Sequence, residues 1–420
     1  MTAAVGSLTS RQRTILFLLF LSAWINYMDR GNLGVAAVPL SADLGIDKEQ
    51  RGNLLAAFFW TYALLQPLAG WLVDRVNVAR LYGLGYLTWS LATVISGFVN
   101  TYGQLFGVRL VLGAGESVAY PCYSRILATS FPESKRGFAN TCIDVGTKAG
   151  PALGTLICGL LVARFGWRAM FLAIGIGSLL WLIPWFRVAP GRHDHTVEVP
   201  PAPPVSQLLK RRAAWATFIG LFCQNYAWYF LVTWLPSYLV EERKYTLTMM
   251  SIYGAIPFVA TALSSLVAAR MSDARIASGE AAVPVRCSFV MTGLFGCGIL
   301  LPLALVGNPL LSMIFLILAF ASLGLYTSNS WALTQSMSGP AVAGQWTGFQ
   351  NAVGNMAGVL APWLTGVLVQ RTGQFAGAFF AASFFLLFGV LVYWFGLSRE
   401  RREARATLTR ASERHSSRPS

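Results

Sequence analysis

A chain of 420 residues in which 55% are hydrophobic and only 12% are charged is not an ordinary soluble protein. Its net charge of +15 would suit nucleic acid. However, Arg and Lys gather on alternate loops and in roughly the last 20 residues, the pattern of a membrane topology signal rather than of a nucleic-acid partner. The cysteines (Cys122, Cys142, Cys158, Cys223, Cys287 and Cys297) lie in or near apolar segments with no metal or pairing pattern, and read as free thiols used as small apolar residues. No P-loop, G-x-S-x-G motif or metal cluster is present, so neither an enzyme, a cofactor nor ATP-driven transport is expected.

In chain order, apolar stretches cover approximately 13–38, 52–74, 80–99, 104–128, 138–163, 168–188, 213–239, 247–270, 285–306, 309–335, 344–370 and 374–397. Each has the roughly 20 residues needed to cross a hydrocarbon core about 30 Å thick. A bilayer admits only helices or closed barrels, and these stretches are too long and too continuously apolar for barrel strands. The expectation is an all-α membrane protein of twelve transmembrane helices. The first stretch has no small-residue cleavage site and is interrupted by polar residues, so it reads as a retained helix.

Between the sixth and seventh stretches, Gly191 to Arg212 is polar, holds Pro200, Pro201, Pro203 and Pro204, and ends in Lys210-Arg211-Arg212. This composition marks a linker. The expected organisation is an N-terminal six-helix half over 1–190, a cytoplasmic linker over 191–212, a C-terminal half over 213–397 and a basic cytoplasmic tail over 398–420. The loop charges put both termini in the cytoplasm. The inner segments hold Arg11, Arg13, Arg75, Arg80, Lys135, Arg136, Arg270, Arg275 and Arg286, whereas the outer loops hold few basic residues, among them Lys48 and Arg51. The halves echo each other: Gly70-Trp71-Leu72-Val73-Asp74-Arg75 after the second helix is matched by Arg270-Met271-Ser272-Asp273-Ala274-Arg275 after the eighth. Such parallel repeats are the plan of a large transporter class.

Most of these stretches hold no ionisable residue. Three early ones do: Asp29-Arg30 in the first, Arg109 and Glu116 in the fourth, Asp144 and Lys148 in the fifth. A charge in the bilayer costs several kcal/mol unless it is paired or lines a wet cavity, so these residues point to a pathway for ions or charged solutes. The arginines suggest an anion and the carboxylates suggest protons. Arg30 keeps its charge and its planar fork suits a carboxylate. Tyr27 lies three residues back on the same face and has a hydroxyl to offer. The alternative is that Asp29 and Arg30 only hold helices together. Glu116 lies seven residues after Arg109 on the same face, with Gly113 leaving room between them; a permanent salt bridge within that helix is the alternative to a proton switch. Asp144 and Lys148 are four apart with the acid first, the better order for an ion pair. Either they neutralise each other, or Lys148 adds positive charge to the pocket and Asp144 tunes it. In the C-terminal half, no convincing intramembrane charge occurs.

The sequence Gly70-x-x-x-Asp74-Arg75-x-x-x-x-Arg80 resembles the major facilitator loop signature, and Arg109-x-x-x-Gly113 its fourth-helix signature. Asn77-Val78-Ala79 depart from that loop pattern, which bears on the inner-gate charges Asp74 and Arg75 and not on the fold. More narrowly, the chain resembles the anion:cation symporter family of galactonate, glucarate and hexuronate transporters and sialin-like carriers. The matching stretches are Ile25 to Arg30, Arg109 to Glu116, Gly166-Trp167-Arg168, Trp234-Leu235-Pro236-Ser237-Tyr238 and Asn351-x-x-Gly354-Asn355.

This resemblance implies a major facilitator fold in a cell inner membrane, working as a monomer on a small organic anion and protons. By resemblance, Asp29 and Glu116 are the protonation sites, Arg109 is partner and gate, and Arg30 takes the substrate. Tyr62, Trp331 and Asn351 match positions that contact substrate hydroxyls. Sugar-acid members tend to have uncharged polar residues around Thr147 and Lys148. The lysine departs from that pattern and would suit a second carboxylate or a different anion. The expected function is proton-coupled symport of an organic anion by alternating access. An antiporter or exporter of amphipathic compounds with the same fold is the alternative, and a transporter-like receptor is a third reading.

Overall fold

The computed structural model describes residues 8–73, 75–131, 133–189, 205–338 and 343–404. Among them, the regular structure is helical throughout: α1 (Ser10–Leu44), α2 (Lys48–Val73), α3 (Val78–Ser96), α4 (Tyr102–Glu116), α5 (Ala119–Ser130), α6 (Glu133–Leu179), α7 (Leu182–Val188), α8 (Val205–Leu209), α9 (Arg212–Ser237), α10 (Leu247–Ala277), α11 (Ala282–Leu303), α12 (Pro309–Ser338), α13 (Ala343–Thr372) and α14 (Ala376–Gly396). A π-helical turn, Tyr238–Glu242, extends α9.

The segment expected at 104–128 is interrupted between α4 and α5, just after Glu116. The segments expected at 138–163 and 168–188 are joined in α6 by a reversal at Gly166 (φ 81°, ψ 168°), a backbone conformation open to glycine. Taking α4 with α5, dividing α6 at Gly166 and adding α7 to its second part, the long segments number twelve among the described residues. The expected linker holds one short helix, α8, and the helical backbone runs on past 397 to residue 404, where a frayed tail is expected from composition.

Local chemistry sets the ends. Thr9 caps α1 in a capping box: its Oγ1 accepts from Gln12 N at 3.2 Å while Gln12 Oε1 accepts from Thr9 N at 3.0 Å. Gly45, at φ 63°, closes the other end. Asn77, one of the departures from the loop signature, caps α3 by accepting from Arg80 N at 3.0 Å. Among the described residues, six helices pass as membrane spans on length and composition alone, five of them after residue 246. The charges that lower the apolar character of the N-terminal region sit on α1 and α4, where Asp29, Arg30, Arg109 and Glu116 lie.

The chain divides into two compact units. The first comprises Met1–Val197, Leu231–Phe258 and Pro362–Gln374; the second comprises Glu198–Phe230, Val259–Ala361 and Phe375–Ser420. In the first unit α1 packs chiefly on α6, and α4 on α2 and α3. An aromatic knot fastens it. Tyr86 stacks on Trp181 at 4.1 Å, Tyr82 and Tyr123 share a hydrogen bond of 3.0 Å, and the indoles of Trp181 and Trp185 donate to Leu18 O and Ala79 O. In the second unit α11 packs on α12 and α14.

Candidate functional site

The charged site is built in the first unit from α1, α2, α3 and α4. Helical spacing sends the side chains of α1 in two directions. Asp29 faces α3: its Oδ1 accepts from Asn32 Nδ2 at 3.0 Å, one turn on, and from Thr93 Oγ1 at 3.4 Å. Arg30 faces α2 and α4. Its Nε lies 3.1 Å from Glu116 Oε2. Its guanidinium is 4.4 Å from the Tyr62 ring centroid, 4.7 Å from that of Tyr27 and 5.2 Å from that of Phe58. Tyr62 and Phe58, four apart on α2, stack at 5.2 Å and form one aromatic wall. Arg109 approaches the other side of Phe58 at 5.8 Å. Gly113 allows this closeness, since a side chain there would strike the Phe58 carbonyl and Thr61 Oγ1.

The four charges are enclosed: relative exposure is 0% for Asp29, 5% for Arg30, 1% for Arg109 and 0% for Glu116. Two acids and two arginines balance, which is how a low-dielectric interior tolerates them. Glu116 is engaged by Arg30 and not, as the shared face on one helix suggests, by Arg109. Seven residues along a helix span about 10 Å, too far for a compact pair, whereas α1 brings Arg30 directly opposite Glu116. One oxygen of each acid, Asp29 Oδ2 and Glu116 Oε1, and Nε and Nη1 of Arg109 are buried without a hydrogen-bond partner among the described residues. The Tyr27 hydroxyl meets that of Tyr120 at 2.9 Å.

The remaining predicted residues lie elsewhere. Thr147 is buried on α6, its hydroxyl bonded to Asp144 O at 2.7 Å. Lys148 and Asp144 form the ion pair their spacing allows, with side-chain exposures of 18% and 59%. So exposed a carboxylate makes a pair worth about 0–1 kcal/mol, one readily exchanged. Arg75 is exposed and lies over the Trp71 ring at 4.2 Å; Asp74 is outside the described residues. In the second unit, Trp331 and Asn351 are half-buried on α12 and α13. Near Asn351, the Tyr229 hydroxyl donates to Asn355 Oδ1 at 2.6 Å, Asn355 Nδ2 donates to Asn351 O at 2.9 Å, and Asn225 Nδ2 donates to Gly354 O at 3.0 Å.

Several participants are not singled out by sequence. Phe58 and Asn32 are within its reach, one turn from Tyr62 and Asp29 on the same faces. Thr93 and Tyr120 carry no signal of their own. Lys48 and Arg51 look like outer-loop charges, but α2 begins at Lys48 and Arg51 is buried. Arg51 Nη1 reaches Glu241 Oε1 at 2.5 Å and Ser237 Oγ at 3.3 Å, its Nε reaches Ser41 Oγ at 3.0 Å, and its guanidinium lies 5.6 Å from the Trp234 ring. Lys48 Nζ adds a contact of 3.5 Å to Glu241. All lie in the first unit. Backbones meet beside this latch: a methyl added at Gly34 would sit 2.7 Å from Thr233 O, and one at Gly52 would sit 2.7 Å from Pro362 O.

Long apolar helices with buried arginines and acids opposite one another suit a carrier of charged solutes. Residues 19–362 match the Major Facilitator Superfamily model, and the chain belongs to that superfamily. It is 26% identical over 405 residues to a Bacillus subtilis protein named as a probable galactarate/D-glucarate transporter, covering 89% of each chain. It is 28% identical over 390 residues to the hexuronate transporter of Bacillus subtilis, covering 90% of this chain and 92% of that one. A crystal structure of a bacterial homologue of the human lysosomal transporter Spinster, in an inward-facing and occupied conformation, matches with a TM-score of 0.77 at 18% identity, over 93% of this chain and 97% of that one. The fold is therefore the twelve-helix major facilitator fold in two six-helix halves, and the protein is a multi-pass membrane transporter, as the motifs imply.

Proposed function

We propose that this protein is a proton-coupled symporter that imports an organic anion, a sugar acid or related carboxylate, by alternating access. The observation that carries the reading is the enclosed pair Arg30–Glu116. An arginine in such surroundings needs an anion at all times. While Glu116 is ionised it fills that need. Once Glu116 takes a proton, a substrate carboxylate takes its place on the guanidinium fork, where two parallel hydrogen bonds are available. Proton and anion then enter together because the net charge around Arg30 is conserved. Asp29, held by Asn32 and Thr93 with one oxygen undonated, is the second protonation site. It can accept a proton on that oxygen without giving up a hydrogen bond. Arg109 links the two acids from α4.

Tyr27 and Tyr62 line the carboxylate end; Thr147 and Lys148 on α6, and Trp331 and Asn351 in the second unit, are the further substrate-binding residues that the family resemblance implies. Residues 1–190 and 213–397 rock about the linker 191–212, with Asp74 and Arg75 at the inner gate and Asp144 tuning Lys148. The Arg51–Glu241 latch and the Gly34 and Gly52 contacts form the outer gate in its closed state. The chain acts as a monomer in a cell inner membrane with both termini in the cytoplasm. The relatives named for sugar acids support the substrate class.

Recording currents from proteoliposomes while hexonates, hexuronates and dicarboxylates are added at low and neutral external pH tests the reading. With protons on both Glu116 and Asp29, two protons accompany a monovalent anion, so inward positive current, larger at acid pH, is expected for hexonates or hexuronates. Accumulation of the anion that ignores the proton gradient would exclude symport.

A further inference from the structure

Asp29 is held from two helices. Asn32, one turn on along α1, donates Nδ2 to Asp29 Oδ1 at 3.0 Å, and Thr93 Oγ1 on α3 lies 3.4 Å from the same oxygen. The two donors differ in kind. Asn32 travels with the helix that carries the acid. Thr93 belongs to another helix, and its oxygen also lies 3.1 Å from the Trp89 carbonyl, one turn back. A hydroxyl has one hydrogen to donate. The Thr93 hydrogen therefore has two acceptors, Asp29 Oδ1 and Trp89 O. All three residues are fully enclosed, at 0% exposure, so bulk water does not decide between them.

Charge decides. Hydrogen bonds to an ionised group are roughly twice as strong as those between neutral groups. While Asp29 is a carboxylate, the hydroxyl turns to it. Oδ2 of Asp29 has no hydrogen-bond partner among the described residues and is the atom free to take a proton. Once it does, the advantage of Oδ1 is gone, and the Trp89 carbonyl, at the shorter distance, takes the hydrogen. Threonine in a helix readily bonds the carbonyl four residues back, so the exchange needs only rotation of the hydroxyl.

Trp89 also borders the second acid. A methyl added at Gly115, next to Glu116, would sit 2.8 Å from Trp89 N, and one at Gly85 would sit 2.8 Å from Gly115 O. Helix α3 thus runs backbone to backbone against α4 beside Glu116, and one turn farther on it meets Asp29 through Thr93. The other titratable groups facing Asp29 are Glu116 and Arg109 from α4, Tyr86 from α3 and Cys158 from α6. Among the described residues none of them donates a hydrogen bond to Asp29, and Arg30, its neighbour on α1, turns to Glu116.

We infer that Thr93 is a positioning residue of the proton-coupling step: its hydroxyl hydrogen passes between Asp29 and the Trp89 carbonyl as Asp29 loses and gains its proton, so that α3 holds the ionised acid and releases the protonated one. This rests on the reading of Asp29 as a protonation site and adds the group that favours its discharge.

The test is an infrared pH titration of the purified protein, following the protonated-carboxyl stretch that Asp29→Asn removes. It needs no substrate. Thr93→Val deletes a donor to the charged form, so the Asp29 band should persist to higher pH, by about one unit, the scale of one hydrogen bond to a charged group. Thr93→Ala, which adds no bulk, should do the same, and Thr93→Ser should titrate with wild type. Ser96→Ala is the structural control: Ser96 is another enclosed α3 hydroxyl, bonded to Ala92 O at 2.9 Å. It should leave the Asp29 band where it is. A band that titrates in Thr93→Val and Thr93→Ala as in wild type overturns this inference alone, as does an equal displacement in Ser96→Ala. A wild type with no band assignable to Asp29 overturns the protonation-site reading and this inference together.

Discussion

Arg30 on α1 and Glu116 at the end of α4 form an ion pair of 3.1 Å, with side chains 4% and 0% exposed, and the rings of Tyr27, Tyr62 and Phe58 enclose the guanidinium. Removing one partner of a buried pair strands the other, at a cost of about 3–5 kcal/mol. Glu116→Gln should therefore lower the thermal stability of the substrate-free protein. A bound carboxylate should restore it, and by more than it raises wild type. Uptake by this variant should lose part of its dependence on external pH, Asp29 keeping the rest, while exchange across the membrane continues. Thermal unfolding with and without substrate, and counterflow against gradient-driven uptake, check these outcomes.

Arg51 joins α2 to the π-helical turn after α9 through Glu241, and to both Ser41 and Ser237. Arg51→Ala should lower thermal stability only modestly, because Lys48 remains 3.5 Å from Glu241 and keeps the carboxylate paired. Arg51→Ala should also make a cysteine placed at Ser237 more reactive to a membrane-impermeant thiol reagent. Labelling rates that do not change would separate Arg51 from any gate.

Gly52 packs against backbone: an added methyl would lie 2.7 Å from Pro362 O and 3.1 Å from Gly366 Cα. Backbone atoms do not swing aside, so Gly52→Val should destabilise this contact by about 1–3 kcal/mol through overpacking. Transport should fall steeply while the protein still folds. Gly103→Ala serves as the control, because nothing lies within 4 Å of a methyl there. Size-exclusion profiles together with uptake rates distinguish misfolding from a blocked closure.

Asp43, at the exposed end of α1, accepts from the Trp167 indole at 2.9 Å and from Arg168 at 2.7 Å. These hydrogen bonds, the indole's first, hold its carboxyl below the usual carboxylate range. A depressed folded value means that the contact's contribution is present above the unfolded pKa and is lost only as pH falls through the lower folded one. Asp43 thus stays ionised across the range in which transport is assayed. Asp43→Asn should leave the pH profile of uptake unchanged and alter stability little, since the group is exposed. A shifted profile would make Asp43 part of the coupling.

Much of the charged site is legible in the sequence. Asp29, Arg30, Arg109 and Glu116 declare themselves because each breaks an apolar stretch, and a charge in hydrocarbon is conspicuous wherever it falls. Asp144 and Lys148 are legible as a pair because i,i+4 spacing is a property of one helix. Arg51 is not, since a basic residue near a loop reads as a topology signal until a partner 190 positions away buries it. Thr93, Tyr120 and Phe58 are unremarkable residue types whose roles come only from what they face.

Hydropathy, charge and loop bias belong to the chain itself, and they determined a twelve-helix membrane protein with charges concentrated in its first half; the transporter class came from the resemblance of its motifs. Tertiary structure decided which charge answers which. It gave Glu116 to Arg30, 86 positions away, instead of to Arg109 on its own helix, and it set Asp29 against Thr93. The reason is geometric: the rotation of each helix about its axis and the closeness allowed by small residues such as Gly113 and Gly150 arise from packing between helices, which no single segment encodes.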